Sequence, residues 1–419
     1  MKEVFSIQVA NKDQLIAALL ELSKGYKNTS LLNSNSYHDK YGKYELLFAM
    51  GNQDRLPFKA LQKREVHQKK WLFLHLSYDF KNKIENLGSE KPDRIQFPDF
   101  SAFIPDVVFC LRKNTDQLHV VSSLHSATLE KKFKKILQSP ATKAAGAFPK
   151  LSARMDKREY LERIKKLQEH IQLGNIYEAN FCMEFFAENI HVNAEEMYLL
   201  LNKRSPSPFS AFYKTDEKYL LCASPERFLA KRKNKLISQP IKGTAKRGTT
   251  ADEDAQMKRN LLNDLKEQTE NVMIVDVVRN DLSRIAERGS VNVEELFGIY
   301  SFPQVHQMIS TVICSISEKR NFMDCIHATF PMASMTGAPK ISAMKILEKM
   351  EANSRGLYSG SVGYISPDGD FDLNVVIRSF LYDKNSQYLS YSTGGAITAM
   401  SDPEQEYAEC LLKAKAIFE

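Results

Sequence analysis

Two glutamate pairs, Glu267/Glu270 and Glu406/Glu409, have the residue type and the spacing to bind a cation. Residues three apart on a helix share a face, so each pair would present two carboxylates to one side. The register of the second pair follows from its flanks: Asp402 can cap the helix, Pro403 suits the first turn, and Glu404 and Glu406 suit the positive end of the dipole. Tyr407, Cys410/Leu411, Ala414 and Ile417/Phe418 then form an apolar stripe, which leaves Glu406, Glu409 and Lys413 together on another face. Four carboxylates from two helices would suit Mg²⁺, a hard cation that takes oxygen ligands and keeps positions for water or substrate oxygens. The plainer alternative, a solvated Glu409–Lys413 ion pair, is what helix statistics alone favour.

Two glycine-bearing segments, Pro240-Ile-Lys-Gly-Thr244 and Ser392-Thr-Gly-Gly-Ala-Ile397, would let a ligand approach exposed backbone amides. Neither matches a P-loop or a dinucleotide fingerprint. A third, Met335-Thr-Gly-Ala-Pro-Lys340, reads as a turn opening a helix, with Pro339 near the first helical position. Each of the three, taken alone, is equally a tight turn.

These groups need elements to position them. Up to about residue 125 the chain is strand-like, with apolar runs at 44–50, 71–76 and 107–112 separated by polar turns. A Lys-rich helix follows, and the stretch 139–150, with its Pro, Gly and small residues, is the candidate linker between a mostly β region at 1–140 and a second region at 150–419. Tyr160, Ile164, Leu167 and Ile171 recur at helical spacing before Gly174, and a strand is expected from Tyr177. Further strands are expected at 219–223, 362–365, 374–380 and 388–392, and helices near 254–270, 338–350 and 403–418. Strands mixed with interspersed helices argue for an α+β or mixed α/β enzyme.

Composition narrows the class. A chain of 419 residues, 43% hydrophobic and 26% charged, has the balance of a folded globular protein and enough length for a large core. The net charge of +7, from 58 Lys and Arg against 51 Asp and Glu, is a small excess. The densest basic stretches, at 131–135 and 231–233, are short and isolated, which argues against a nucleic-acid partner. Six cysteines without paired spacing suggest neither a zinc site nor a disulfide framework. With no run of about 18 apolar residues and no apolar segment behind the first charges, no membrane partner and a cytoplasmic location are expected.

Six blocks, taken in order, make the sequence resemble the chorismate-binding enzymes, the family of anthranilate synthase component I, aminodeoxychorismate synthase component I, isochorismate synthase and salicylate synthase. They are Ala223-Ser-Pro-Glu-Arg227, Pro240-Ile-Lys-Gly-Thr244, Val275-Asp-Val-Val-Arg-Asn-Asp-Leu282, Phe330-Pro-Met-Ala-Ser-Met-Thr-Gly-Ala-Pro-Lys340, Arg355-Gly-Leu-Tyr-Ser-Gly360 and Asp402-Pro-Glu-Gln-Glu-Tyr-Ala-Glu409. The match is strongest from about residue 155 onward, and Tyr78-Asp-Phe and Leu31-Leu-Asn-Ser resemble the looser N-terminal signatures. The resemblance implies an α+β fold like that of anthranilate synthase component I, a mixed α/β sandwich of large antiparallel sheets flanked by helices. It also implies that regions 1–140 and 150–419 pack as one unit.

Carried over by position, the resemblance places metal ligands on Glu270 and Glu409, with Glu267 and Glu406 beside them. Chorismate's carboxylates are then expected to meet Arg378, Lys413, Tyr358 and the amides around Gly243, Thr244, Gly394 and Gly395. A dianion beside one Mg²⁺ needs such cations, hydroxyls and amide donors. His306, within Pro303-Gln-Val-His-Gln-Met, matches an active-site histidine of the family. The third residue of Pro240-Ile-Lys-Gly-Thr244 is commonly alanine in anthranilate synthases and lysine in aminodeoxychorismate synthases, and here it is Lys242. A buried lysine can lose its proton through desolvation and attack C2 of the ring, after which ammonia attacks C4. Glu226 is the matching candidate acid for the departing C4 hydroxyl. Without the resemblance, Lys242 would be a solvated turn lysine and Glu226 a salt-bridge partner of Arg227.

The activity implied is amination of chorismate to 4-amino-4-deoxychorismate, toward p-aminobenzoate and folate. No cysteine sits in a glutaminase-like setting, so the resemblance implies ammonia from a separate glutamine amidotransferase subunit. Glu178 stands where water-activating relatives carry lysine and aminating relatives usually carry glutamine, and so departs from both. Anthranilate synthesis with release of pyruvate is the nearest alternative. A basic nucleic-acid-binding protein on a degenerate scaffold is the alternative of a different class.

Overall fold

The structure, a computed structural model, describes residues 1–61, 69–124, 126–138, 144 and 146–418. Half of the expected linker, at 139–143 and 145, lies outside the described residues, as do the side chains of Ile417 and Phe418. Among the described residues, the N-terminal part carries β1 (Lys2–Gln8), α1 (Lys12–Ser23), β2 (Asn28–Asn33), β3 (Tyr44–Gly51), β4 (Leu72–Leu76), β5 (Phe100–Phe103), β6 (Val107–Arg112) and β7 (Gln117–Ser122). Then come α2 (Ser126–Gln138), β8 (Ser152–Ala153), α3 (Lys157–Gln172), β9 (Glu178–Ala187), α4 (Ala194–Arg204), β10 (Phe209–Thr215), β11 (Lys218–Ser224), β12 (Arg227–Arg232), β13 (Lys235–Gln239) and β14 (Ile241–Lys246). The chain continues through α5 (Ala251–Leu262), α6 (Leu265–Ser283), β15 (Asn292–Ser301), β16 (Val305–Ser315), α7 (Phe322–Thr329), β17 (Gly337–Ala338) and α8 (Lys340–Met350). It closes with β18 (Ser361–Ile365), β19 (Phe371–Asn374), β20 (Ser379–Asp383), β21 (Tyr388–Ile397) and α9 (Pro403–Phe418).

These strands form two large antiparallel sheets, the α+β architecture expected. The first runs β1-β7-β6-β3-β2-β10-β11-β20-β21-β9-β17 and the second β14-β16-β13-β12-β19-β18-β4-β5. Both sheets mix strands from the two ends of the sequence: Leu31 of β2 lies opposite Phe212 of β10, and Leu74 of β4 opposite Gly363 of β18.

Burial on two faces explains the unbroken apolar runs. Along β3, Leu47 and Ala49 join the core shared with the second sheet, whereas Leu46, Phe48 and Met50 join the core under the helices. In β10, Ala211 and Tyr213 take the first side and Phe212 the second. Successive strand residues point to opposite faces, so a strand covered on both sides has no polar alternation to show. Helices α1, α3 and α4 cover the outer face through Leu19, Ile164 and Leu201.

Three departures from expectation shape the site. The helix expected near 254–270 is two helices, because Asp264 caps α6 by accepting hydrogen bonds from the Lys266 and Glu267 amides at 2.9 and 3.1 Å. The strand expected over 374–380 is interrupted between β19 and β20, and in the gap Arg378 takes a φ of +51°. That left-handed conformation is costly for a side chain bearing Cβ and persists where the surroundings impose it. Arg227 does not pair with Glu226: its Nε lies 2.9 Å from Asp372 Oδ1 and its Nη1 3.1 Å from Asp39 Oδ1. Among the described residues, no helix is long and apolar enough to cross a membrane.

Candidate active site

The site forms where the edge of one sheet meets the edge of the other, β14 ending the second and β9 lying beside the terminal β17 of the first. β14 carries Lys242 at a bulge, for its pairing with β16 slips between Ile241 and Thr244. Gly243 takes a φ of +96°, and a Cβ there would lie 3.2 Å from both Glu267 Oε2 and Met308 Cβ. Only glycine meets both demands without strain. The Lys242 side chain is 10% exposed, and its Nζ lies 2.6 Å from Oε1 of Glu178, which is 1% exposed. Ala338 of β17 pairs with Glu178, and a Cβ on Gly337 would lie 2.2 Å from the Glu178 carbonyl oxygen, so close packing fixes the backbone that carries this side chain.

Lys242 is therefore neither a solvated turn lysine nor a free amine. Burial pulls its pKa down, but the Glu178 and Glu270 carboxylates outweigh burial and hold the ammonium above the ordinary lysine range. Desolvation, the cause expected to free the amine, does not do so in this arrangement.

Glu226, in the turn between β11 and β12, is 4% exposed. Burial pushes its pKa up to about 7, against the Ser334 hydroxyl, the Ile241 amide and the charges of Lys242 and Arg378. A carboxyl still half protonated near neutral pH can donate to a leaving oxygen. Burial pulls the Arg378 guanidinium's pKa down, while Tyr391 and Glu226 work the other way. A largely desolvated cation beside a half-neutralised carboxyl is costly, and an anionic ligand would relieve that cost.

The first glutamate pair lies on α6 and the second on α9. Burial pushes Glu270 up to about 7, with Glu178 and Glu267 adding to the rise and Lys242 opposing it. Glu267 and Glu406 are also raised, first by burial and then in part by the charge of Glu409. Burial works upward on Glu409 as well, but Lys413 outweighs it and leaves that carboxyl below its ordinary range. Charge on α9 is thus felt on α6. Among the described residues, no three His, Cys, Asp or Glu side chains are gathered closely enough to hold a metal ion, so the four carboxylates stand in an open arrangement. Their chemistry still fits a hard cation: all donors are oxygens, and positive charge would relieve both the burial and the mutual repulsion that raise Glu267, Glu270 and Glu406.

The remaining expected residues are placed differently. Lys413 is 45% exposed and donates to Gly394 O and to Glu409 Oε1, both at 2.9 Å, so it forms the solvated pair that helix spacing allowed. Tyr358 is buried in the core between the sheets, with its hydroxyl beside the Cys182 thiol. Gly394 and Gly395 belong to β21, opposite Cys182 and Phe181, and not to a loop. A Cβ would lie 2.9 Å from Cys182 Sγ at Gly394 and 3.0 Å from Glu406 Oε2 at Gly395, so these glycines bring β9 and α9 close to β21. Thr244 is exposed beside the bulge. His306 is fully buried with both ring nitrogens engaged, Nε2 2.8 Å from Asp254 Oδ1 and Nδ1 3.0 Å from Ser301 Oγ. Its register partner is Ala245 of β14, so it braces the strand that carries Lys242.

Sequence reading missed three contributors. Glu178 departs from the family pattern, which gives it no role. Asn271 Nδ2 donates to the Lys242 carbonyl at 3.3 Å while its Oδ1 accepts from Ser310 Oγ at 2.6 Å. Asp254 holds His306 and is itself kept well below the usual carboxylate range, chiefly by its hydrogen bond from Arg247. Asn271 follows directly on Glu270, but nothing in its spacing marks it.

Residues 32–419 match the family described as chorismate binding enzyme. The chain is 36% identical over 342 residues to the chloroplastic aminodeoxychorismate synthase of Arabidopsis thaliana, covering 76% of this chain and 37% of that protein. It is 34% identical over 343 residues to aminodeoxychorismate synthase component 1 of Klebsiella aerogenes, covering 81% of this chain and 74% of that one. The fold superposes on anthranilate synthase component I from Streptococcus pneumoniae TIGR4 with a TM-score of 0.77 at 26% identity, over 94% of this chain and 92% of that one. The first relatives are longer proteins, of which this chain spans 29% to 37%. Through its ordered motifs, its pair of sheets and a family match that runs from residue 32 to 419, the chain belongs to the chorismate-binding enzymes.

Proposed function

We propose that the protein aminates chorismate at C4 to give 4-amino-4-deoxychorismate, using ammonia from a separate glutamine amidotransferase subunit. The observation that carries this reading is Lys242, buried on the β14 bulge among Glu178, Glu226 and Glu270. An aminating relative named component 1 supports it, since that name speaks of a second subunit. A cytoplasmic location is part of the same reading.

In this mechanism Arg378 takes a substrate carboxylate. Lys242 Nζ forms a bond to C2, the ring double bonds shift, and the C4–O bond breaks. Glu226 protonates the departing hydroxyl, which leaves as water. Ammonia then forms the C4–N bond as the C2–N bond to Lys242 breaks, and Glu226 regains its proton from solvent. His306 acts as a positioning residue, because its ring nitrogens are occupied by Asp254 and Ser301 and its strand holds β14. Glu270 and Glu409 would hold Mg²⁺, with Glu267 and Glu406 in support, and the bound ion would neutralise substrate carboxylate charge and orient the ring. Glu270→Gln is expected to weaken Mg²⁺ binding by at least about tenfold in titration calorimetry while the far-UV spectrum stays unchanged. An unchanged affinity would remove Glu270 from the metal set.

The deciding experiment supplies the protein with chorismate, Mg²⁺ and an ammonium salt. The expected product is 4-amino-4-deoxychorismate, identified by mass and chromatography, with no pyruvate. Pyruvate together with anthranilate fluorescence would overturn the reading in favour of anthranilate synthesis. Salt-sensitive nucleic-acid binding without turnover would overturn it in favour of the other class.

A further inference from the structure

We propose that Glu178 is the base that takes a proton from Lys242 before the lysine attacks C2, and the acid that returns it when the lysine leaves. The inference rests on the function proposed above and assigns a role to a residue whose type the family pattern does not explain.

A lysine can attack only as the neutral amine, so Nζ must pass a proton to a group in contact with it. Among the described residues, the side-chain acceptor hydrogen-bonded to Lys242 Nζ is Glu178 Oε1, at 2.6 Å. Two other charged groups face Lys242, Glu270 from α6 and Glu226 from the β11–β12 turn, and both act on it through space. Glu226 is needed as the acid at C4, which leaves Glu178 as the partner in direct contact. Glu178 itself faces Lys242 and Glu270.

At rest the proton stays on Lys242, and the 2.6 Å contact with Glu178 lets it cross without movement of either side chain. Glu178 Oε2 is buried and has no hydrogen-bond partner among the described residues. A buried carboxylate with an unmatched oxygen bears a desolvation penalty. Moving the proton across the 2.6 Å contact turns a buried ion pair into a neutral pair and so removes two charges from a dry site. β17 packs against the Glu178 backbone too closely for it to drift away from Lys242.

The step balances internally. Carboxylate and ammonium become carboxylic acid and amine; the amine lone pair forms the C2–N bond; later the C2–N bond breaks, the amine recovers its pair, and the carboxylic acid reprotonates it. Neither oxidant nor external base enters.

Glu178→Gln keeps the shape of the side chain but cannot take the proton, so Lys242 must lose it to solvent. The expected result is a fall in kcat of at least about tenfold at pH 7, KM within about threefold, and an acid limb of the pH–rate profile displaced upward by at least about one unit. Glu178→Asp, which retains a carboxylate, is expected to return that limb toward its original position. A second measurement omits ammonia and follows the C2 adduct as added mass on the peptide containing Lys242. The unaltered protein should accumulate adduct at pH 7, and the Gln variant should do so only at higher pH. An unmoved profile, or a Gln variant faster at pH 7, would overturn the proposal, the latter by showing that the carboxylate only keeps the lysine charged. If the unaltered protein forms neither adduct nor aminated product, the proposed function fails first and this inference falls with it.

Discussion

Lys242→Ala is expected to slow amination by at least about a hundredfold and to change the identity of whatever product remains. With the amine removed, nothing on the protein can occupy C2, and ammonia bound in the site is left to attack C2 directly. The residual product should then carry its amino group at C2 and not at C4, an isomer of equal mass that chromatography or NMR separates. One complication follows from the structure. Removing the ammonium strands the Glu178 carboxylate, 1% exposed, and breaking a buried ion pair from one side costs about 3–5 kcal/mol. Lys242→Gln therefore accompanies it, because an amide can still donate to Glu178 while being no nucleophile. If both variants melt as folded proteins and still release the C4 product at the original rate, covalent catalysis by Lys242 is excluded.

The parts of the site that were legible in the sequence are those set by local rules. Helix periodicity and the Asp402 cap fixed the register of α9, and the carboxylate pairs on α6 and α9 lie on the helices that carry them by simple spacing. Gly243 could be read as a residue allowing close approach, and it does so at a bulge. The break before α6 was legible as well, since Asp264 stands three residues before Glu267 in a capping position, but the longer helical pattern masked it.

What could not be read depends on contacts between distant segments. Glu178 and Lys242 lie 64 positions apart, Lys242 on the edge strand of one sheet and Glu178 on the strand beside the edge of the other, and neither residue's neighbours announce the other. The gap between β19 and β20 is hidden inside Val375-Val-Ile, which reads as strand; its backbone turns aside because Val375 N bonds to Glu226 O and Ser359 N bonds to Val376 O. That turn puts Arg378 beside Glu226, so the acid and the cation are placed by one interruption. Spacing also could not say how far apart the two carboxylate pairs stand, because the distance between α6 and α9 is set by glycines on β14 and β21 that let them approach.

Glu226→Gln is expected to trade activity for stability, and the two effects have opposite pH signatures. As the acid for the C4 hydroxyl, Glu226 works when protonated, and burial keeps it so up to about pH 7. The rate of the unaltered protein should fall as pH rises through about 7, and the Gln variant should be slower by about 10²–10⁴-fold at pH 6.5 with that alkaline limb gone. Folding responds in the reverse sense. Because the folded-state pKa lies above that of an unfolded glutamate, the native state binds more protons between about pH 4.5 and 7. The stability this group allows is fully present below that window and is lost as pH rises through about 7. A neutral amide has no charge to bury, so the Gln variant should be more stable at pH 8 than the unaltered protein, by an amount on the order of 2–3 kcal/mol, and equal to it at pH 4.5. Denaturant titrations at the two pH values measure this directly. A variant that loses activity but shows no pH-dependent gain would mean that Glu226 is ionised in the folded protein, and a carboxylate in that state could not be the acid that C4 requires.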